Sequence, residues 1–302
     1  MAPPMSEAVA EHLPEAHPWR AAAWMMGSVV SFSLMAIAAR NVSAVHDSFE
    51  VLMYRSAFGF ALVLAVGLAT GRLHEVTTQR LPGHFLRNIV HFTGQNLWFV
   101  ALTLIPLAQV FALEFTSPLW VILLSPVFLG ERLTAQRLGA AALGFGGILI
   151  VTRPEASTLN IGVAMAAGAA VCFAAVSIMT KRLTRGISVI GILFWLTFMQ
   201  FFFGLIAAGY SGHITLPTAQ TLPWLAVIGL CGVGAHLSLT TALSLAPAGF
   251  VVPIDFLRLP FIAVIGAMFY AEAFDPYVLV GGAVIFAGIL LNLHAQLRKS
   301  AV

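Results

Sequence analysis

Two carboxylates stand in the middle of stretches that otherwise read as lipid-soluble. Glu114 lies within PLAQVFALEFTSPLW, residues 106–120, and Asp255 lies within an apolar run that begins at residue 247. An ionised group at the centre of a bilayer costs about 2.5–3.5 kcal/mol on insertion scales, so both side chains should face protein or a water-filled cavity. In such a cavity a carboxylate can pair with an arginine, bind the ammonium group of a substrate or carry a proton.

Two arginines are predicted to lie within reach of these carboxylates. Arg55 falls in the second apolar segment at a depth that matches Glu114, and Arg258 follows Asp255 by one helical turn on the same face. We therefore expect ion pairs between Arg55 and Glu114 and between Asp255 and Arg258. The sequence leaves three roles open for the four residues: structural ion pairs, a receptor for the carboxylate and ammonium of a zwitterion, or a proton carrier for antiport.

A polar stripe runs along the third apolar segment. His91, Gln95 and Trp98 are spaced so that they fall on one face of a helix, where they either line a cavity or form hydrogen bonds between helices. His91 is the first-choice polar contact for a substrate. Trp98 and Trp195 lie too deep for the interfacial aromatic belt. If they face the cavity rather than lipid or the core, they form an aromatic wall that suits apolar or aromatic side chains and cations.

The composition indicates which kind of secondary structure positions these residues. Hydrophobic residues make up 60% of the chain and charged residues only 9%, which is typical of a membrane protein. A bilayer crossing takes roughly 20 apolar residues in a helix, so we predict an all-α integral membrane protein with ten transmembrane helices. The predicted spans are 19–39, 48–70, 84–104, 107–129, 134–152, 160–180, 187–209, 222–243, 247–270 and 275–295.

The basic residues predict the orientation of the chain in the membrane. Loops rich in Lys and Arg stay in the cytoplasm. With a cytoplasmic N-terminus, the inner segments hold Arg20, Arg72, Arg80, Arg87, Arg132, Arg137, Lys181, Arg182, Arg185, Arg298 and Lys299, and the outer segments hold Arg40 and Arg153. Both termini are therefore predicted to be cytoplasmic, with a disordered tail at 1–18 and a short tail at 297–302.

The chain also repeats itself. An offset of 141 residues aligns ALTLIPLAQVFALEF (101–115) with ALSLAPAGFVVPIDF (242–256) without a gap. Asp255 is thus the counterpart of Glu114, and His236 is the counterpart of Gln95. We predict two five-helix repeats, at 19–153 and 160–296. An odd number of crossings inverts the second copy, which is the architecture of secondary transporters that bind substrate between their two halves.

The stretch ALTLIPLAQVFALEFTSPLWVILLSPVFLGERLTAQRLGAAALGFGGILIV (101–151) resembles the EamA domain of the drug/metabolite transporter superfamily. It has the domain's Leu-Gly-Glu-Arg-Leu turn and Gly-rich last helix, and YRSAFGFALVL (54–64) is similar to the second-helix element. The second copy departs from the pattern, with Ala271-Glu272-Ala273 at the turn and Trp195 near the position of Arg55. The resemblance implies a carrier of small metabolites across a bacterial inner membrane, often outward, with amino acids prominent among the substrates.

These observations predict a secondary transporter that works by alternating access and exports neutral or aromatic amino acids. The alternatives are another amphipathic or cationic metabolite such as S-adenosylmethionine or a drug-like cation and, from other classes, a membrane-embedded enzyme or a channel. The sequence has no phosphate loop and no metal-binding protease motif, so we predict no cofactor, no metal and no nucleic acid partner. A proton is a candidate coupling ion. The candidate hinges are Pro106, Pro118, Pro126, Pro247, Pro253 and Pro260.

Overall fold

A computed structural model describes residues 17–42, 44–105, 110, 113–152, 161–210, 213–269 and 276–300. Most of the predicted N-terminal tail, and the residues Pro106, Arg153 and Glu272, lie outside these ranges. The described part of the chain is helical and contains no strand. Its main helices are α1 (Pro18–Val42), α2 (Ser48–Ala69), α3 (Leu81–Leu104), α4 (Ser117–Leu129), α5 (Ala135–Thr152), α6 (Ile161–Leu183), α7 (Val189–Gly209), α8 (Leu222–Leu245), α9 (Arg258–Phe269) and α10 (Pro276–Ser300).

Local signals explain several helix boundaries. Asp47 accepts a hydrogen bond from the N–H of Glu50, whose side chain accepts one from the N–H of Asp47, and this capping box starts α2. The hydroxyl of Ser188 caps α7 by accepting a hydrogen bond from the N–H of Gly191. A proline lies in the first turn of α3, α4 and α8, where its missing N–H costs no hydrogen bond. The C-terminal helix α10 continues to Ser300, beyond its predicted end at residue 295.

Five helices in the described part of the chain are long and apolar enough to cross a membrane: α1, α2, α6, α7 and α8. The shorter apolar helices include α4 and parts of α5 and α10. Helix α3 has the length to cross a bilayer, and its lower hydropathy comes from the polar residues that it carries, among them His84, Arg87, Asn88 and His91. The chain is therefore a helical, multi-pass membrane protein in which one membrane-length helix is unusually polar.

The helices pair across the two sequence repeats. Helix α1 packs on α8, α3 on α6, α2 on α7 and α5 on α10. Exchanging each helix for its counterpart in the other repeat, for example α1 for α6 and α8 for α3, gives the same four pairs. A twofold axis between two five-helix units requires this relation. Two glycines show the same symmetry in detail: a Cβ on Gly147 would lie 2.6 Å from the carbonyl oxygen of Gly281, and one on Gly288 would lie 2.8 Å from that of Ala140. Each residue of the first contact maps onto the second at the offset of 141.

The fourth and ninth predicted spans, 107–129 and 247–270, are not single unbroken helices, and both are interrupted near prolines that the sequence offers as candidate hinges. The first break is a turn at residues 115 and 116, which directly follows Glu114, and α4 begins only at Ser117. The second is longer: a single helical turn, Ala248–Val251, leads into a 3₁₀ segment, Val252–Leu257, which holds Asp255. Prolines supply the physical reason, because they lack an N–H and clash with the preceding turn.

The Leu-Gly-Glu-Arg-Leu turn of the first repeat holds the second break in place. The carboxylate of Glu131 accepts hydrogen bonds from the backbone N–H groups of Ala248 and Gly249, at 2.7 and 3.1 Å. Arg137 lies 3.3 Å from the same carboxylate, so the acid is also paired. This turn thus has a structural task, which is to anchor the start of the broken ninth span.

Candidate functional site

A cavity of about 210 Å³ lies between the two repeats. Its wall is formed by α1, α2, α3, α6 and α8 together with the two broken spans. The polar and charged groups that line it are Arg55, His91, Gln95, Trp98, Glu114, Ser117, Ser177, His236, Asp255 and Arg258. The structure therefore brings together all but one of the residues predicted for the site, and the exception is Trp195.

Three charged residues at the two breaks form a hydrogen-bonded cluster, which we call the carboxylate cluster: Glu114, Asp255 and Arg258. The Nη2 atom of Arg258 donates to Glu114 Oε1 at 2.7 Å and to Asp255 Oδ2 at 2.9 Å. The indole nitrogen of Trp98 donates to Glu114 Oε2 at 2.6 Å. Two carboxylates against one guanidinium leave the cluster with one net negative charge when all three are ionised.

Aromatic rings flank the arginine of this cluster. The guanidinium carbon of Arg258 lies 5.1 Å from the ring centroid of Phe115 and 5.4 Å from that of Phe32. Both distances allow cation–π attraction, which gains strength where water is excluded. Phe115 also meets its repeat counterpart Phe256 at a centroid distance of 6.4 Å, so the two breaks touch each other. The rings hold the guanidinium between the two carboxylates.

The predicted ion pair between Arg55 and Glu114 is wrong. Glu114 is paired with Arg258, and Arg55 has no ion pair or hydrogen bond within the described part of the chain. The reason is geometric: the break in the ninth span lets Arg258 reach both carboxylates, whereas Arg55 packs on α8, where a Cβ on Gly232 would lie 2.6 Å from its Nε. Arg55 is nevertheless buried, with 9% of its surface exposed, and it lines the cavity. It therefore faces the cavity as an unpaired cation.

A pair of imidazoles lies in the same cavity. The rings of His91 and His236 meet edge to face at a centroid distance of 5.1 Å, and His236 also contacts Phe32 at 5.6 Å. Within the described part of the chain, Nδ1 of His91, both ring nitrogens of His236 and Oε1 of Gln95 have no hydrogen-bond partner. Buried polar atoms are normally satisfied, so these groups are suited to a polar ligand or water.

The order of groups along the cavity follows from these contacts. Phe32 touches Arg258 on one side and His236 on the other. His236 follows Gly232 by one helical turn, and Gly232 is the residue on which Arg55 packs. The cavity thus has the carboxylate cluster at one end, the Phe32 ring and the imidazoles in the middle, and Arg55 at the other end.

Trp195 does not line the cavity, which corrects its place in the predicted site. Its indole nitrogen donates to the carbonyl oxygen of Thr77 at 2.8 Å, in the connection between α2 and α3. Its ring contacts Phe194 and Phe198 on its own helix, α7. A buried indole N–H usually finds a partner, and here that partner lies at the end of the bundle rather than at its centre.

Sequence reasoning missed the phenylalanines of the site. Phe32 and Phe115 pack on the guanidinium of Arg258, yet an isolated phenylalanine in an apolar chain carries no functional signal. The offset of 141 could have drawn attention to them, because it pairs Phe32 with Phe173 and Phe115 with Phe256. Three of these four rings, Phe32, Phe115 and Phe173, line the cavity.

The arrangement is suited to holding an amphipathic molecule. Within the described ranges there is no group of three or more His, Cys, Asp or Glu side chains that could hold a metal ion. Opposite charges and aromatic walls, by contrast, are the usual means of holding an amphipathic molecule in place.

Comparison with known proteins agrees with this reading. Residues 19–153 and 160–294 each match the EamA-like transporter family. The chain is 29% identical to a riboflavin transporter of Rhizobium johnstonii, over 92% of each protein. It is 26% identical to an S-adenosylmethionine uptake transporter of Rickettsia bellii, over 90% of this chain and 93% of the relative. A crystal structure with 18% sequence identity has the same fold, with a TM-score of 0.79 over 92% of this chain and 98% of the other.

Proposed function

Because the chain belongs to the EamA-like transporter family and is a secondary transporter, we propose that it carries a small zwitterionic metabolite with an amino-acid group and an apolar or aromatic body. The observation that carries this proposal is the separation of charge in one cavity. The carboxylate cluster has one negative charge to spare, and Arg55 offers an unpaired positive charge at the other end.

Charge matching is a strong source of selectivity in a site of this kind. The ammonium of a substrate would neutralise the carboxylate cluster, and its carboxylate would neutralise Arg55. Each buried charge left without a partner costs several kcal/mol, so a ligand that lacks either group should bind much more weakly. A wholly neutral ligand would leave both ends of the cavity unsatisfied.

The walls and the size of the cavity favour an amino acid with an apolar or aromatic side chain. Phe32, Phe115 and Phe173 supply apolar surface, and His91 and Gln95 supply polar atoms. The volume of about 210 Å³ lies below the range of roughly 300–1,000 Å³ that is typical of drug-sized ligands. A free amino acid suits this volume, and we propose export as the direction of transport.

S-adenosylmethionine is the second candidate, and one observation favours it. The relative from Rickettsia bellii is named an S-adenosylmethionine uptake transporter. This metabolite contains an amino-acid group and adds a sulfonium cation and an adenine ring, which suit a cluster with a surplus negative charge and an aromatic wall. Its greater size would require the cavity to widen.

The remaining parts of the proposal concern the membrane. We propose that the two repeats rock against each other in alternating access, with the broken fourth and ninth spans as hinges. The proposed location is the bacterial inner membrane, with both termini in the cytoplasm, as the distribution of Lys and Arg predicts.

The test is counterflow in liposomes that contain the purified protein. Labelled tryptophan, S-adenosylmethionine and riboflavin are offered outside, with and without the same unlabelled compound inside. We expect saturable exchange of tryptophan or S-adenosylmethionine, and no exchange of riboflavin. Liposomes without protein give the background.

Two analogues of tryptophan separate the contributions of the two ends of the cavity. Tryptamine lacks the carboxylate and indole-3-propionate lacks the ammonium, so each should compete with labelled tryptophan much less than unlabelled tryptophan does. Exchange of riboflavin that no zwitterion inhibits would overturn the proposal, because a neutral substrate has no use for the separated charges.

A further inference from the structure

The two carboxylates at the breaks are counterparts in the repeat, but they share a single arginine. The residue that corresponds to Arg258 in the first repeat is Ser117, which also lines the cavity. We propose that Arg258 is a built-in counter-ion that replaces a transported coupling cation, so that this carrier exchanges its substrate without Na⁺ or protons. This inference rests on the proposed transport of a zwitterion or cation.

The contacts of Arg258 place it in the binding site rather than in the packing of the bundle. A single nitrogen, Nη2, bonds to both carboxylates, while Nε has no hydrogen-bond partner within the described part of the chain. The guanidinium lies in the cavity wall between the rings of Phe32 and Phe115. It occupies the position that a bound cation would need in order to contact Glu114 and Asp255 together.

The charge balance explains why no further cation is required. Glu114 and Asp255 contribute two negative charges, Arg258 contributes one positive charge, and the substrate's ammonium contributes the other. The titratable groups that line the same cavity from other helices are Arg55 on α2, His91 on α3 and His236 on α8. Within the described ranges none of these three forms a hydrogen bond to the cluster. The loaded cluster is therefore neutral as it stands.

Removing the arginine should create a need for a transported ion. In the Arg258→Gln variant, the substrate's ammonium faces two carboxylates alone, and one negative charge stays uncompensated inside the membrane. On insertion scales such a charge corresponds to a change of about 100-fold in an equilibrium constant. Na⁺ or a proton would supply the missing charge, so the variant should become dependent on one of them.

The first experiment needs no substrate. The melting temperature of the purified full-length protein in detergent is measured in NaCl and in choline chloride at equal ionic strength, across a range of pH around neutrality. We expect only a small dependence on Na⁺ and pH for the wild type, whose substrate-free cluster carries one net negative charge, against two in Arg258→Gln. We expect the melting temperature of Arg258→Gln to rise by several degrees when NaCl replaces choline chloride, when the pH is lowered, or in both cases.

Matched variants control for the substitution itself. Arg72→Gln makes the same chemical change at an exposed residue, whose side chain is 54% exposed, and should behave as the wild type does. Arg258→Lys keeps the positive charge and should respond to Na⁺ and pH as the wild type does. If Arg258→Gln cannot be purified, the double variant Glu114→Gln/Arg258→Gln removes one of the two carboxylates and restores the net charge of the wild type. We expect this double variant to be recovered and to show the same small Na⁺ dependence as the wild type.

The second experiment is counterflow with labelled tryptophan and labelled S-adenosylmethionine, with and without Na⁺ and with and without a pH gradient. Wild-type exchange should be unaffected, whereas Arg258→Gln should lose about 100-fold of its exchange without a coupling cation and regain it with one. Wild-type flux that requires Na⁺ or a pH gradient would overturn the inference. So would an Arg258→Gln variant whose melting and flux are both insensitive to cations.

The two experiments also separate this inference from the proposed function. If neither tryptophan nor S-adenosylmethionine is exchanged, the proposed substrate class fails. The melting measurement still decides whether Arg258 stands in for a cation, because it does not depend on the identity of the substrate.

Discussion

The breaks in the fourth and ninth spans are counterparts in the repeat, yet they differ in charge. Both interrupt a helix next to an acid, Glu114 in one and Asp255 in the other. Only the ninth span adds an arginine. Among the described residues only Glu114 has an indole partner, because the residue that corresponds to Trp98 is Leu239. Both repeats therefore contain the backbone break and the acid, but the side chains that hydrogen-bond to the acid differ between them.

This difference shows how an internally symmetric carrier can hold an asymmetric substrate. A perfectly twofold site would present the same charge at both ends, and it would bind a zwitterion poorly. Here the second arginine, Arg55, corresponds to Leu196, and the Gly232 on which it packs corresponds to His91. Substitutions at these few positions turn a symmetric scaffold into a cavity with a negative end and a positive end.

Moving the arginine from one break to the other should have the largest effect. Arg258→Ser removes the shared partner of one buried and one partly buried carboxylate and should lower the free energy of unfolding by about 3–5 kcal/mol. The double variant Ser117→Arg/Arg258→Ser places the guanidinium at the corresponding position and should recover most of this loss. The measurement is the melting temperature in detergent, and equal melting of the single and double variants would contradict the equivalence of the two breaks.

Replacing the unpaired arginine should affect binding rather than stability. Arg55 has no partner to lose within the described part of the chain, so Arg55→Gln should leave the melting temperature unchanged or raise it. It should raise the KM for a zwitterion roughly 30-fold, about 2 kcal/mol, because the substrate's carboxylate loses its partner. Arg72→Gln is the matched control, and a large fall in melting temperature with an unchanged KM would show that Arg55 is structural.

A smaller effect is expected from filling the space beside Arg55. A methyl group on Gly232 would lie 2.6 Å from Arg55 Nε, so Gly232→Ala must displace the guanidinium. We expect the KM to rise about fivefold, or about 1 kcal/mol. Gly146→Ala is the control, because nothing lies within 4 Å of its added Cβ. An equal response of both variants would mean that the effect comes from the helix and not from Arg55.

The smallest effect should follow from removing the indole partner of Glu114, which makes the hydrogen bonding of the two acids more alike. Trp98→Phe keeps an aromatic ring but removes the hydrogen bond to Glu114, so that neither carboxylate has an indole partner. Hydrogen bonds between helices in membranes contribute about 0.6 kcal/mol on average, so we expect a change in KM of roughly threefold. Loss of all exchange in this variant would indicate that the indole itself holds the substrate.

Much of the helical framework could be predicted because its signals are local. Runs of apolar residues indicate helices that cross the membrane, and prolines and caps indicate where α2, α3 and α8 begin. The extent of the breaks in the fourth and ninth spans could not be predicted, because hydropathy does not distinguish a helix from a 3₁₀ segment of the same composition. The prolines at 118, 247 and 253 signalled these breaks without giving their extent.

The residues that line the candidate site could be predicted from the sequence, but the contacts between them could not. Depth in the membrane and helical phase select residues that can face one cavity, such as His91 and Gln95, which lie on one face of α3. Neither property gives the rotation of a helix about its axis or the reach of a long side chain across a break. For this reason Trp195 was assigned to the cavity, although its indole bonds to Thr77.

The sequence by itself determined that this chain crosses a membrane, that it consists of related halves and that Glu114 corresponds to Asp255. Hydropathy and internal repetition depend only on the order of the residues. Only the tertiary structure decided that Arg258 serves both acids and that Arg55 faces the cavity unpaired. These pairings depend on the packing of the two breaks against each other, where a displacement of a few ångströms decides which charge meets which.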